Sequence, residues 1–208
     1  MKKIQIAVLG SSKMICTENA YKIAEEVGKE LAKKKCITIT GGGLGVMEAA
    51  LKGAKKENGL TIAIIPWENI KKANDYADVV IATGIGWSRD AINLNSCDGA
   101  IIVHGGAGTL NEASYGYIID KPLVAIKTSG GTAKQIAGTY LDIRKNELIE
   151  SANNAKEAVD KILKIIQRRE KSGVALSMFD RDLLRLEENK DWELIFRKRK
   201  KELKKLQE

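Results

Sequence analysis

Residues 88–112 read SRDAINLNSCDGAIIVHGGAGTLNE, and this stretch decides the fold. The apolar segment 99–103 predicts a buried strand, and the pattern from Leu110 onward predicts a helix. Between them, glycines allow a tight turn and leave backbone N–H groups without a covering side chain. Because a helix N-terminus adds the positive end of its dipole, this unit favours a phosphate or another anion. The residues expected to hold that anion are Gly105, Gly106, Ala107, Gly108 and Thr109.

Two charged side chains flank the glycine turn. Glu112 falls in the first turn of the predicted helix, and Arg89 lies on the helix before the strand. A guanidinium offers a planar fork of donors to phosphate or ribose oxygens. A carboxylate can stabilise a positively charged sugar or orient water. Each residue also has a structural alternative. Glu112 can be an acid favoured by the helix dipole, and Arg89 can be ion-paired with Asp90, Asp98 or Glu112.

Strand-like and helix-like segments alternate along most of the chain. The predicted strands are 4–9, 36–40, 60–65, 77–82, 99–103 and 123–126. The predicted helices are 18–34, 44–58, 88–96, 110–119 and 155–169. Continuous apolar strands separated by amphipathic helices are typical of a parallel sheet covered on both faces. The sequence therefore predicts a doubly wound, mostly parallel, Rossmann-like α/β fold.

Three glycine turns are predicted to meet at one edge of this sheet. In open α/β sheets, ligands lie outside the carboxyl ends of the strands. Besides the turn after the fifth strand, the expected ligand-binding residues are Gly10, Ser11, Ser12, Gly41, Gly42, Gly43 and Gly45. Trp87 can stack on a base or pterin ring or can simply pack against the protein, and Trp67 leaves the same two alternatives. The convergence of the turns carries the prediction more than any single turn does.

The chain divides into two parts by composition. Residues 1–170 carry the predicted nucleotide-binding domain, and residues 171–208 form a basic C-terminal extension that we expect to be helical. Apolar groups around Phe179 and Trp192 are expected to pack on the core or on a second subunit. The basic run 197–205 can attract polyanions, although such runs are usually solvated helix faces. No base-reading motif precedes this run, so nucleic acid is not the expected partner.

Composition limits the function classes. The chain has 208 residues with 44% hydrophobic and 30% charged residues, and its formal charge is +8. Apolar runs are too short for a membrane span or a signal peptide, so we expect a cytoplasmic protein. Three cysteines without a CxxC pair and the single histidine, His104, argue against a disulfide framework or a metal site. His104 either lies beside the ligand or packs in the fold.

Two motifs in this order resemble a known family. The segments GGGLGVMEAA at 41–50 and SRDAIN with HGGAGTLNEA, within 88–113, are similar to the LOG-type Rossmann proteins of the SLOG superfamily. That group includes cytokinin-nucleotide phosphoribohydrolases, long labelled lysine decarboxylases, and molybdenum cofactor carrier proteins. The resemblance covers roughly residues 3–166. It implies a homodimer or larger homo-oligomer with sites near the subunit interface.

The resemblance also assigns roles and shows two departures. The LOG motif PGGxGTxxE is matched from Gly105 to Glu112, with His104 in place of the proline. The upstream Arg-Lys dipeptide is matched by Arg89, but Asp90 replaces the lysine. The arginine and the motif glutamate are the catalytic pair in LOG enzymes, so the resemblance implies Arg89 and Glu112 as catalytic residues. The Asp90 departure leaves open whether the chain hydrolyses anything.

Two functions therefore remain open. The first is hydrolysis of the N-glycosidic bond of a nucleoside 5′-monophosphate, giving free base and ribose 5-phosphate without a required cofactor. The second is a non-catalytic carrier or sensor of a molybdopterin-type ligand or a signalling nucleotide. Pyridoxal-phosphate decarboxylation is not expected, because it needs a Schiff-base lysine and these motifs present none. A dinucleotide dehydrogenase is not expected either, because the glycine turn is not a GxGxxG motif followed by an acidic residue about 20 positions later.

Overall fold

A computed structural model describes residues 2–143, 145 and 147–172. Seven strands form one sheet: β1 (Gln5–Gly10), β2 (Ile37–Thr40), β3 (Thr61–Ile65), β4 (Val79–Ala82), β5 (Gly99–Val103), β6 (Leu123–Ile126) and β7 (Glu150–Ala152). Six α-helices connect or follow them: α1 (Glu18–Lys33), α2 (Val46–Lys56), α3 (Arg89–Asn95), α4 (Ala107–Ile118), α5 (Gly131–Ile136) and α6 (Ala155–Ser172).

Every strand pair in the sheet is parallel, and the strand order is β4-β3-β2-β1-β5-β6-β7. The chain builds outward from β1 to β4 and then crosses to the other side of β1. The order therefore reverses between β1 and β5, where Ile6 pairs with Gly99 and Gly10 with Val103. This reversal opens a crevice between their carboxyl ends. The predicted doubly wound α/β fold is confirmed.

Helices cover both faces of the sheet and create two apolar layers. Alternate residues of β1 point to opposite faces, so Ile6 and Val8 join one layer and Ala7 and Leu9 the other. The first layer is closed by α1, α2 and α6, and the second by α3, α4 and α5. Each layer buries aliphatic side chains of β1 and β5 almost completely. The central strands are therefore rigid supports for the turns at their ends.

Some element boundaries differ from the predictions. Helix α4 begins at Ala107 rather than near Leu110, so the second half of the glycine motif lies in its first turn. The sequence did not predict α5 or β7, because both are short and lie among polar residues. Beyond residue 172, the predicted extension with its apolar groups and basic run lies outside the described residues. None of the described helices has the length and apolarity that crossing a membrane requires.

Helices α1 and α2 touch through their backbones. A Cβ placed on Gly28 would overlap the carbonyl oxygen of Ala50, and one placed on Gly53 would overlap that of Glu25. Neither glycine has a positive φ, so space and not backbone conformation demands glycine here. The turn that follows β2 leads directly into α2, so this helix contact also fixes the position of that turn.

We expect Gly28→Ala to lower the free energy of unfolding by about 1–3 kcal/mol, because the added methyl group forces the two helices apart. Gly108→Ala is the matched control. Its Cβ would meet no atom within 4 Å, so it is expected to leave stability unchanged or to raise it by up to about 1 kcal/mol. Urea denaturation of both variants measures the difference. Equal stability of the two variants would contradict the tight helix contact.

Candidate functional site

A small cleft lies at the crevice between β1 and β5. Its volume is about 140 Å³. It is lined by Gly10, Ser11, Ser12, Ile15, Met47, Trp87, Arg89, Asp90, Gly106, Ala107, Gly108, Thr109 and Glu112. Ten of these residues were predicted site residues, so the structure brings most of the predicted set together. A second cavity, of about 350 Å³, lies near the start of β2. Its lining includes Lys34, Cys36 and Lys164 and contains none of the predicted site residues.

The first turn of α4 presents free amides to the cleft. Gly105 has φ +100°, which turns the chain sharply off β5, and Gly106 is the N-cap. Gly106 has no side chain to cap the helix, and the first intrahelical bond runs from the N–H of Leu110 to the carbonyl of Gly106. The amides of Ala107, Gly108 and Thr109 are therefore left without intrahelical acceptors. Such amides, together with the helix dipole, favour an anion.

The turn after β1 forms the opposite side of the cleft. The carbonyl oxygen of Ser11 accepts a hydrogen bond of 3.0 Å from the N–H of Val46, and Ser12 forms an isolated bridge with Gly45. Gly45 has φ +91°, and a Cβ there would lie 2.7 Å from the Ser11 carbonyl oxygen. Gly45 therefore permits α2 to begin directly beside Ser11. It is not among the residues that line the cleft.

The glycine turn after β2 supports the site from behind. A Cβ on Gly41 would overlap the guanidinium of Arg89, so that the side chain lies flat against the glycine backbone. Gly42 has φ +70°, and the carboxamide of Asn74 donates to the carbonyls of Gly42 and Gly43 at 3.1 and 3.0 Å. Of these three glycines, Gly41 lies against Arg89, and like Gly105 none of the three lines the cleft.

Arg89, Asp90 and Glu112 form a buried charged cluster at the inner end of the cleft. The Nη1 atom of Arg89 lies 2.8 Å from Asp90 Oδ1 and 3.4 Å from Glu112 Oε1. The side-chain amides of Asn93 and Asn111 donate to Glu112 and Asp90 at 3.4 and 3.3 Å. Arg89 therefore contacts two of the three ion-pair partners that the sequence left open, Asp90 and Glu112. Asp98 instead accepts from the N–H of Gln5.

Two carboxyl groups share one guanidinium, and burial changes their protonation. Burial, reinforced by the nearby negative charge of Asp90, raises the pKa of Glu112 to about 8. Burial also raises the pKa of Asp90. At pH 7 the protonated form of Glu112 therefore predominates. The cluster is also incompletely satisfied, since Arg89 Nε and Asn93 Oδ1 are buried without a hydrogen-bond partner in the described structure. Buried groups of this kind are often completed by a ligand or by water.

Large apolar side chains surround the mouth of the cleft. Trp87 is 79% exposed and Ile15 is more than half exposed, and both line the cleft. Trp87 is therefore free to stack on a ring, which is one of the two alternatives that the sequence left. Trp67 is also exposed, but it lies outside the cleft lining.

Sequence reasoning missed the two asparagines, and it named Asp90 only as an ion-pair alternative for Arg89 and as a departure from the LOG motif. Asn93 follows Arg89 by four residues on α3, a spacing that places both on one helix face. Asn111 precedes Glu112 directly. Helical spacing from Arg89 was the signal that could have found Asn93. Across the described ranges, no group of three or more His, Cys, Asp or Glu residues is arranged to hold a metal ion.

Two solved structures of cofactor-binding proteins are similar to this chain. The molybdenum cofactor binding protein of Rippkaea orientalis aligns with a TM-score of 0.72 and 31% identity, covering 80% of this chain and 99% of that one. The molybdenum cofactor carrier protein of Chlamydomonas reinhardtii aligns with a TM-score of 0.69 and 33% identity, with the same coverage. Both are similar to this chain across nearly their whole length.

Sequence comparison finds similarity to a phosphoribohydrolase and a match to a family model. The cytokinin riboside 5′-monophosphate phosphoribohydrolase of Mycobacterium tuberculosis is 32% identical over 117 residues, which is 52% of this chain and 63% of that protein. The model of the SLOG cluster4 family matches residues 3–159. That match covers both glycine motifs and the cluster around Arg89. The predicted LOG and SLOG resemblance is confirmed: the chain belongs to the SLOG cluster4 family.

Proposed function

We propose that the chain binds a phosphorylated, nucleoside-like molecule in the cleft between β1 and β5. The free amides at the start of α4 carry this proposal, because they face a cleft whose inner end is an arginine with two carboxylates. The phosphate bonds to the amides of Ala107, Gly108 and Thr109. Arg89 and Glu112 then face the sugar or the atoms next to it.

The size of the cleft defines which part of the ligand is enclosed. Pockets that enclose a whole drug-sized ligand measure about 300–1,000 Å³. With about 140 Å³, this cleft holds the phosphate and sugar but leaves the ring system at the mouth. The exposed indole of Trp87 offers a stacking surface there. The base or pterin therefore contributes through stacking more than through enclosure.

The reaction that this arrangement supports is hydrolysis of the N-glycosidic bond. Water adds to the anomeric carbon, the bond to the base breaks, and the base leaves with a proton. Glu112 in its ionised form stabilises the positive charge on the sugar or orients the water. Arg89 donates to sugar or phosphate oxygens. The M. tuberculosis relative, whose name describes this reaction, supports the assignment.

A carrier function is the second candidate, and two observations favour it. Both cofactor-binding structures align over 99% of their length. In addition, burial, reinforced by the charge of Asp90, raises the pKa of Glu112 and keeps it largely protonated at pH 7, which weakens it as a base. A molybdopterin-type ligand has a phosphate group that suits the same amides. Mass spectrometry and molybdenum analysis of the purified protein distinguish a bound pterin from an enzyme that releases base from AMP.

We also propose that two copies of the chain pair. The family resemblance implies a homodimer or larger homo-oligomer, and edge strand β4 supports pairing because Val79 and Ile81 lie 44% and 45% exposed on the same face. Pairing would bury these side chains and remove an apolar strip from water. Light scattering during size-exclusion chromatography is expected to give about twice the 22.8 kDa mass of one chain. A monomer at micromolar concentration would refute the pairing.

Gly108→Asp is expected to weaken AMP binding at least about tenfold, because it places a carboxylate at the proposed phosphate position. The side chain has room, since a Cβ on Gly108 meets nothing within 4 Å. Gly108→Asn, with the same shape and no charge, is the matched control and should bind within a few-fold of wild type. Isothermal titration calorimetry measures both. Equal affinities of the two variants would place the phosphate elsewhere.

The rate of base release from AMP is expected to rise with pH, with a midpoint near pH 8, and to level off about one pH unit higher. The ionised form of Glu112 is the active one, and its raised pKa delays ionisation until that pH. Asp90→Asn should shift the rise to lower pH, because it removes the negative charge that helps to raise the pKa. Initial rates between pH 5.5 and 9.5 test both statements.

Glu112→Gln is the control for this profile. It should lower the rate by about 100-fold or more and flatten the pH dependence, while AMP binding changes only a few-fold. Full turnover by this variant rejects Glu112 as the catalytic group. If the wild-type chain binds AMP but releases no base at any pH, the carrier function replaces hydrolysis.

A further inference from the structure

The single histidine of the chain lies in an uncommon backbone conformation beside the cleft. His104 has φ +56°, in the left-handed region that few residues other than glycine adopt. Its N–H donates to the hydroxyl of Ser129 at 2.7 Å, and its carbonyl accepts from the N–H of Ala133 at 2.9 Å. His104 therefore connects the turn after β5 to the turn after β6. Proline, which stands at this motif position in LOG enzymes, cannot adopt such a φ.

The imidazole of His104 contacts a residue of the cleft without lining the cleft itself. Its Nδ1 atom lies 3.2 Å from the hydroxyl oxygen of Ser11, which is only 1% exposed. The opposite side of the ring packs on Gly130, where a Cβ would lie 3.3 Å from Cδ2. The ring is thus held between two turns. The backbone of Ser11 is fixed as well, because its carbonyl accepts from Val46.

The remaining freedom of Ser11 is the direction of its hydroxyl hydrogen. A hydroxyl donates one hydrogen bond and accepts two. If it donates to His104, its lone pairs are left to face the ligand, where a phosphate oxygen would be repelled. If His104 Nδ1–H donates instead, the hydroxyl hydrogen is available to the phosphate. An anion in the cleft therefore selects the second arrangement.

We propose that His104 is a positioning residue that donates from Nδ1–H to Ser11, so that the Ser11 hydroxyl donates to an anionic oxygen of the ligand. This inference rests on the proposed function, since it assumes a phosphate at the start of α4. The Ser11 hydroxyl, in the turn after β1, adds a donor to the amides at the start of α4. The phosphate is then held from both sides of the crevice.

Nuclear magnetic resonance of the nitrogen-15-labelled, tag-free chain tests the bond directly. Because the sequence contains one histidine, every imidazole signal belongs to His104. Saturating AMP is expected to shift the ring to the tautomer protonated at Nδ1. Ser11→Ala should change the tautomer ratio of the free protein and abolish the response to AMP. The tautomer protonated at Nε2 in the AMP complex would overturn the proposal.

A double-mutant cycle on AMP affinity tests whether His104 acts through Ser11. His104→Gly keeps the backbone conformation and removes the donor, and it should weaken binding about three- to tenfold. His104→Asn tolerates a positive φ and restores a donor, so its affinity should lie within about twofold of wild type. In the Ser11→Ala background, His104→Gly should have no further effect. A further loss there would overturn the positioning role.

Different results would contradict the proposed function and the positioning role of His104. A wild-type chain that does not bind AMP contradicts the proposed function. A tautomer ratio in the free protein that ignores Ser11→Ala contradicts the inference about His104, whether or not AMP binds. Ser129→Ala is an additional control, because it disturbs the backbone of His104 and not the imidazole. It should leave the tautomer ratio unchanged.

Discussion

Everything at the site depends on the parallel pairing of β1 with β5. These strands are neighbours in the sheet although 88 or more residues separate them in the chain, and the helices leave them in opposite directions. Their carboxyl ends therefore open a crevice. Because β5 and the middle of β1 are buried between the helix layers, the turns at their ends have fixed positions. A sheet without this reversal would place the same glycine motifs apart.

The two ends of the cleft differ in charge. The start of α4 favours an anion, whereas the inner end combines one guanidinium with two carboxylates. The lysine of the LOG motif would make this inner end more positive, and Asp90 makes it more negative. Under the proposed function, the phosphate and the sugar would therefore meet different electrostatic environments. That contrast would orient the ligand, and it also explains why hydrolysis and carriage are both compatible with one geometry.

The sequence predicted the sheet and most of the cleft because both follow from local patterns. Apolar runs identify buried strands, and glycine after a strand identifies a turn. The roles of Gly41 and Gly45 were not predictable in this way, since they arise from contacts with Arg89 and Ser11 across the fold. The short elements α5 and β7 carry too little periodicity to be found. The protonation of Glu112 depends on burial, which no local pattern reports.

The glycine backbone beneath Arg89 has a further consequence. A long arginine side chain usually loses rotational freedom when it grips a ligand, at a cost of about 0.5–1.5 kcal/mol. Here Gly41 on one side and two carboxylates on the other have already immobilised it. Under the proposed function, Arg89 would therefore bind the ligand without that entropic loss. The same immobilised guanidinium could not move aside for a larger molecule, so the absence of a side chain on Gly41 would favour both affinity and selectivity.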